Sequence, residues 1–452
     1  MKIVLIAIDT LRADRLGCYN NRKPSLTPHL DSLAKQGVLF ENMIAENNVT
    51  RSSFVTIMTG KNPHQHGIVN MKHVPIPARL VPLAQILQKH GYTTAAVDCN
   101  HRITGKNSAW FKKGYQTYID PAEDKETHLT LPAREVSQKA VAWLKKHAHE
   151  PDFFLFLHYW DPHYPYMPEP PYAKWAEKHA ATVSEVRKEP SLKAVMREPL
   201  WSFINKYNKS GLPASSIRQR YDGSVKQVDD SIGDIIKVLS ETGTLEETLL
   251  IAVADHGESL GEHRIYFDHH GLYEPTIHVP CIISYPKRLP KNKRITPLCQ
   301  HADIFPTVLH LAGIRKPKGI GRIDGRSLLP LIQGKVKQIR PFVVSCEANW
   351  QLKRSIRTLR WKLIRSYEKD VYGNPKWELY DLKKDRGETK NVIAQHPQVA
   401  KQLRGQMERW VKQMLQKYRR KDPLAQGVKV KLHRATVADE EKVKQRLSEL
   451  GY

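Results

Sequence analysis

Ile3-Val4-Leu5-Ile6-Ala7-Ile8-Asp9 and Leu249-Leu250-Ile251-Ala252-Val253-Ala254-Asp255-His256-Gly257-Glu258 are the two stretches that decide the fold. Each is a short, continuous apolar run rich in branched residues that stops abruptly at a carboxylate. Such runs read as strands buried on both faces, as in a sheet covered by helices on either side. Further strands are expected at Thr94 to Val97, Phe153 to Leu157 and Cys281 to Ser284, with helices between them, notably Ala140 to His147 and Ser224 to Leu239. Thr27-Pro28 supplies an N-cap and a first-turn proline for a helix carrying Leu30, Leu33 and Ala34, which Gly37 ends. The proline-rich run from Asp161 to Tyr172 follows a strand end, where open α/β sheets place their ligands, and is expected to hold no regular helix.

After Gly334 the pattern changes to short strand-like pieces at Phe342 to Val344, Ser355 to Arg357, Trp361 to Ile364 and Trp377 to Leu382, then an amphipathic helix from Pro397 to Tyr418. The expected organisation is a catalytic α/β domain over residues 1–335 and a smaller α+β subdomain over 336–420 with a small antiparallel sheet and a helix. A charged tail over 421–452, helical or partly disordered, completes it.

The 452 residues, 40% hydrophobic, suffice for one large core and an accessory unit. No apolar run is long enough to span a bilayer. Met1-Lys2 leads directly into the first strand, too short for a secretory core, so the expected compartment is cytoplasmic. Five cysteines without close spacing, Cys18, Cys99, Cys281, Cys299 and Cys346, signal neither a disulfide framework nor a thiolate zinc site. Lys and Arg outnumber Asp and Glu 72 to 46, a formal +26 that favours anionic small-molecule or polyanionic ester ligands. The charge is dispersed through segments such as Lys287 to Arg294 and Lys412 to Lys421 with little aromatic interleaving, so specific nucleic-acid reading is not expected.

Asp9 alone would serve equally as a strand cap or a metal ligand. Asp255-His256, adjacent and followed by a glycine, suits a divalent cation better than a polar turn does. In Asn47-Asn48-Val49-Thr50-Arg51-Ser52-Ser53-Phe54-Val55-Thr56-Ile57-Met58-Thr59-Gly60-Lys61, Phe54, Ile57 and Met58 share a helical face. A helix therefore starts near Thr50 to Ser52, where a hydroxyl is either an ordinary cap or a nucleophile favoured by the helix dipole.

Ile8-Asp9-Thr10-Leu11-Arg12-Ala13-Asp14, the run from Thr59 to Gly67, His158-Tyr159-Trp160-Asp161-Pro162-His163, Asp255 to His263, His301 to Thr307, Asp324 to Leu328 and Glu378 to Leu382 together resemble the sulfatase family of the alkaline phosphatase superfamily. The resemblance covers residues 3 to about 410 and implies an α/β/α sandwich with a large mixed sheet. It also implies a metal-dependent hydrolase of phosphoric or sulfuric esters. In sulfatases the nucleophile is a formylglycine made from a cysteine. Counting back from Thr59-Gly60 puts Thr50 in that slot, with Ser52 fitting only after a short deletion.

The resemblance implies a divalent ion (Mn, Zn, Mg or Ca) on Asp9, Asp255, His256 and Thr50. Thr50 attacks, His163 or His270 protonates the leaving group, and Lys61 offsets charge. His66 and His158 contact substrate. Asp161, His163 and His270, with His269 as substitute, are a ligand set for a second ion like that of phosphodiesterase relatives, or else hydrogen-bond substrate, so one or two metals are expected. Threonine lacks the aldehyde route for releasing sulfate, which orders the expected substrates as phosphate mono- or diesters or phosphonates first. The alternatives are sulfate esters, or polyanion binding without catalysis.

Overall fold

A computed structural model of the chain describes residues 1–21, 23–71, 75–99, 108–123, 131–179, 214–315, 317, 319–370 and 372–427. The two decisive stretches form neighbouring parallel strands, Lys2–Ile8 and Thr248–Ala254, each completely buried. Phe153–Tyr159 pairs in parallel with the other side of Lys2–Ile8, so three long apolar strands lie at the centre of the sheet. Across eight strands the order is Lys293–Ile295, Val38–Phe40, Cys281–Ser284, Thr248–Ala254, Lys2–Ile8, Phe153–Tyr159, Thr93–Val97 and Thr117–Ile119. Cys281–Ser284 runs antiparallel to both of its neighbours, which makes the sheet mixed.

Helices Pro28–Lys35, Ala133–His147, Pro170–Lys178 and Ala214–Glu241 pack together as one layer. Thr50–Thr59, Leu83–Lys89 and Ile304–Leu311 form another. The helix expected from Ala140 begins at Ala133, and the one expected from Ser224 is the middle of a longer helix. The proline-rich run is irregular only as far as Glu169. Pro170 and Pro171 then occupy the first turn of a helix, where a missing N–H costs nothing.

Val343–Glu347, Lys353–Arg357, Trp361–Ser366 and Trp377–Asp381 form an antiparallel four-stranded sheet. Leu403 and Met407 of helix Pro397–Tyr418 cover it, packing on Val344, Ile356, Leu363 and Leu379. Buried ion pairs tie this unit to the short helix Glu274–Ile277: Arg357 to Glu274 at 2.8 Å and Lys362 to Glu274 at 3.1 Å. Asn47, just ahead of the Thr50 helix, donates to the Cys346 carbonyl at 2.8 Å. The expected tail lies outside the described residues beyond Gly427. All five cysteines are free, and among the described residues no helix is long and apolar enough to cross a membrane.

Candidate active site

The sheet register brings the site together. Ile8 lies opposite Ala254 on one side and Tyr159 on the other, so the residues that follow these strands emerge side by side. Asp9 and Asp255 thus become neighbours although far apart in sequence. The Asp9 N–H donates to the Tyr159 carbonyl at 3.0 Å. Asp255 Oδ1 accepts from the Thr10 N–H at 3.2 Å and the His256 N–H at 2.8 Å. Thr10 adopts φ +53, a left-handed conformation unusual for a branched residue, which turns the chain away immediately after the carboxylate. At Gly257 any Cβ would lie 2.0 Å from the Pro275 carbonyl oxygen, so only glycine lets the second loop turn here. Arg12 clamps the two loops, donating to the Glu258 carbonyl at 3.1 Å and to the Glu262 carboxylate at 2.8 Å.

Thr50 is the first residue of the fully buried helix Thr50–Thr59. Its hydroxyl lies 3.4 Å from Asp9 Oδ2 and 3.2 Å from His256 Nε2, at the helix end where backbone N–H groups lack intrahelical partners. The His256 Nδ1–H donates to the Gly257 carbonyl at 3.0 Å, which leaves the Nε2 lone pair facing Asp255 Oδ2 at 3.3 Å and Asp9 Oδ1 at 3.7 Å. Both of those oxygens are buried without a hydrogen-bond partner.

Two carboxylates and an imidazole lone pair converging in a dry site repel one another unless a cation lies between them. Ligand atoms of Asp9, Asp255 and His256 all lie within 4.8 Å of one another, a spacing one divalent ion can bridge. These residues therefore fit the metal that the fold implies. Without it, burial and the adjacent Asp9 push the Asp255 carboxyl up to about 6. Burial would also raise Asp9, but the imidazoles of His163, His158 and His256 hold it below the usual carboxylate range.

Behind Asp9, His158 donates from Nδ1 to Asp98 at 2.9 Å and turns Nε2 to Asp9 Oδ2 at 3.7 Å. Burial opposes its charge, but the two carboxylates raise its pKa well above the histidine range. His158 thus orients Asp9, and the expected substrate contact is replaced by a bridge between carboxylates. His163 packs against Trp160 with its ring tilted and donates from Nδ1 to the Tyr164 carbonyl at 2.8 Å, leaving Nε2 unengaged by that bond. Burial lowers its pKa against the pull of Asp9. The His269 ring lies 4.5 Å from that of His256 and 5.8 Å from that of His163, so it borders the site.

Four expected site residues are directed elsewhere. Asp161 accepts from the Ala133 N–H and from Gln227, each at 2.9 Å, and so anchors the start of helix Ala133–His147. Lys61 lies beyond the far end of the Thr50 helix and donates to the carbonyls of Ile320 and Arg322. Burial pushes its pKa down to about 8. His66 accepts the Ile68 N–H on Nδ1 and pairs with the Thr56 hydroxyl at 3.0 Å, a neutral imidazole inside the fold. His270 is held between Asp268 at 3.0 Å and Glu347 at 3.5 Å, so neither of its ring nitrogens is turned to Thr50. The proposed trio of Asp161, His163 and His270 is therefore not assembled.

Glu258, fully buried with both carboxylate oxygens unpartnered, was not anticipated. Its position directly after Asp-His-Gly was the available signal. Asp98, which engages His158, carried no local signal at all.

A helix-started hydroxyl against a carboxylate-imidazole cluster that fits a divalent ion, at the carboxyl ends of central parallel strands, marks an ester hydrolase with an alkaline-phosphatase-like fold. The chain belongs to the sulfatase family: the Sulfatase family profile matches residues 2–314, and that of the N-sulphoglucosamine sulphohydrolase C-terminal region matches 261–416. It is 25% identical to the N-acetylglucosamine-6-O-sulfatase of Bacteroides thetaiotaomicron over 93% of this chain and 87% of that protein. It is 28% identical to the multifunctional alkaline phosphatase superfamily protein PehA of Trinickia caryophylli, over 74% of this chain and 77% of that one. Among solved structures, the phosphonate monoester hydrolase of Agrobacterium radiobacter shares the fold with a TM-score of 0.71 at 20% identity, covering 92% of this chain and 96% of that one.

Proposed function

We propose that this enzyme hydrolyses sulfate monoesters of an anionic, carbohydrate-like substrate, with Thr50 as its nucleophile. The observation that carries the reading is the Thr50 hydroxyl, set at the helix start within 3.4 Å of Asp9 and 3.2 Å of His256 in a sulfatase-family chain. Its curated relatives are named mostly as sulfatases, which reverses the order of substrates expected from threonine alone.

Thr50 Oγ1 forms a bond to sulfur as the bond from sulfur to the ester oxygen breaks, and the alcohol leaves with a proton. Water then attacks sulfur, releasing sulfate and restoring the hydroxyl. A divalent ion held by Asp9, Asp255 and His256 would supply Lewis acidity and favour the alkoxide. Asp9 and the helix N-terminus orient the Thr50 oxygen, and His158 holds Asp9 in place. His163, neutral with Nδ1 hydrogen-bonded to Tyr164, takes at Nε2 the proton that Thr50 loses and passes it to the departing alcohol, then takes a proton from the attacking water and returns it to the Thr50 oxygen as sulfate leaves.

The second reading is hydrolysis of phosphonate or phosphate monoesters. Threonine favours it because a hydroxyl nucleophile, unlike a hydrated aldehyde, has no internal way to expel the transferred group. Metal-loaded enzyme assayed on aryl sulfate, phosphate monoester, phosphate diester and phosphonate monoester tests both. The highest kcat/KM is expected with the sulfate ester. A higher value for a phosphorus ester would replace the first reading with the second.

A further inference from the structure

We infer that Glu258, Asp268 and His269 form a second divalent-cation site beside the Asp9–Asp255–His256 centre, suited to an ion of the zinc or manganese type. Glu258 is completely buried, and neither carboxylate oxygen accepts a hydrogen bond. The Tyr166 hydroxyl is directed to it, a neutral donor that leaves its charge uncompensated. A buried carboxylate is costly, so something cationic must compensate it.

His269 Nδ1, likewise unpartnered, lies 3.7 Å from Glu258 Oε1 and 3.5 Å from Asp268 Oδ1. These separations are too long for good hydrogen bonds. They match the spacing of ligand atoms that each sit about 2.0 to 2.2 Å from one ion. One ligand atom from each of the three residues falls within 4.8 Å of the others.

The neighbours support the ligands in the manner of an outer coordination shell. Asp268 Oδ2 faces His270 Nε2 at 3.0 Å, and His270 Nδ1 faces Glu347 Oε1 at 3.5 Å. Glu347 also accepts the Gly271 N–H at 2.9 Å, and Asn48 donates to the His269 carbonyl at 2.6 Å. The loop carrying the imidazole is thereby fixed from the C-terminal sheet on one side and the approach to the Thr50 helix on the other. Such support orients ligands and strengthens binding. The two centres adjoin, because Glu258 follows His256 by one glycine and the His256 and His269 rings are 4.5 Å apart.

The inference uses the reading of Asp9, Asp255 and His256 as the first centre only to set the metal count. The test titrates chelator-stripped full-length protein with zinc and manganese ions by calorimetry, with elemental analysis after gel filtration. Two equivalents are expected for the wild type, one for Glu258→Gln, one for Asp255→Asn and none for the double variant. His269→Ala, also expected to bind one, replaces Glu258→Gln if that variant lacks a folded baseline in thermal unfolding. One equivalent in the wild type, lost in Asp255→Asn and kept in Glu258→Gln, overturns the second site, as do two equivalents in both Glu258→Gln and His269→Ala. One equivalent that survives Asp255→Asn and disappears in Glu258→Gln supports the second site and overturns the reading of the first centre instead.

Discussion

Replacing Asp255 by Asn should stabilise the metal-free protein while removing the part of its stabilisation by metal that comes from the Asp9–Asp255–His256 centre. In the fold, Asp255 Oδ1 accepts two backbone N–H groups and Oδ2 faces the lone pair of His256 Nε2 at 3.3 Å. Asparagine keeps the accepting oxygen and turns an NH2 donor toward that lone pair, so it satisfies the same partners without a second negative charge beside Asp9. The magnitude follows from the Asp255 carboxyl, raised from 3.8 to about 6 by burial and Asp9. A folded pKa above the unfolded one means that the stability is fully present below pH 3.8 and is lost as pH rises through about 6. At pH 7.5 the ionised pair therefore costs about 3 kcal/mol, at pH 5 about half of that, and at pH 4 under about 1 kcal/mol. For a chain of this length about 3 kcal/mol corresponds to a rise of roughly 3 °C in Tm.

Thermal unfolding in a chelator, with and without added manganese, measures both effects across pH. Asp255→Asn should melt above the wild type at pH 7.5, the gap should close toward pH 4, and manganese should raise the wild-type Tm by more than it raises that of the variant, which keeps only the neighbouring site. A metal-free Asp255→Asn that melts below the wild type at pH 7.5, or a variant that keeps the full metal shift, would refute the argument that an uncompensated carboxylate pair defines the site.

Thr50→Ala should lower kcat by at least about a thousandfold, roughly 4 kcal/mol of transition-state stabilisation, with metal content and Tm close to wild type. Retention of more than about a tenth of kcat excludes Thr50 as the covalent nucleophile. Lys61→Met should leave kcat/KM within about threefold, because the ten-residue helix places Lys61 about 15 Å from Thr50. It should cost about 1 to 3 kcal/mol of stability through the Ile320 and Arg322 carbonyls it leaves unpaired. A hundredfold loss of kcat/KM at unchanged Tm would return Lys61 to the active site.

What the sequence by itself determined are features carried by local pattern. The apolar runs ending in Asp9 and Asp255 read as buried strands, and parallel pairing puts their carboxyl ends together. The helical spacing of Phe54, Ile57 and Met58 placed a helix start near Thr50 to Ser52, and the helix begins at Thr50. The four strands and helix after Gly334 followed from their own periodicity in the same way.

Only the tertiary structure decided which way each loop side chain turns. Asp161 and His163 are two residues apart, yet one anchors a helix through Ala133 and Gln227 while the other lies by the site. Lys61 and His66 are drawn off by Arg322 and Thr56, and His270 by Glu347 of the C-terminal sheet. Glu258 gained its place because sheet register and the close packing of Gly257 on Pro275 left its carboxylate inside, beside the His269 imidazole. The physical reason is that a polar side chain in a loop is committed by the partner that satisfies it, and here those partners come from other elements of the fold.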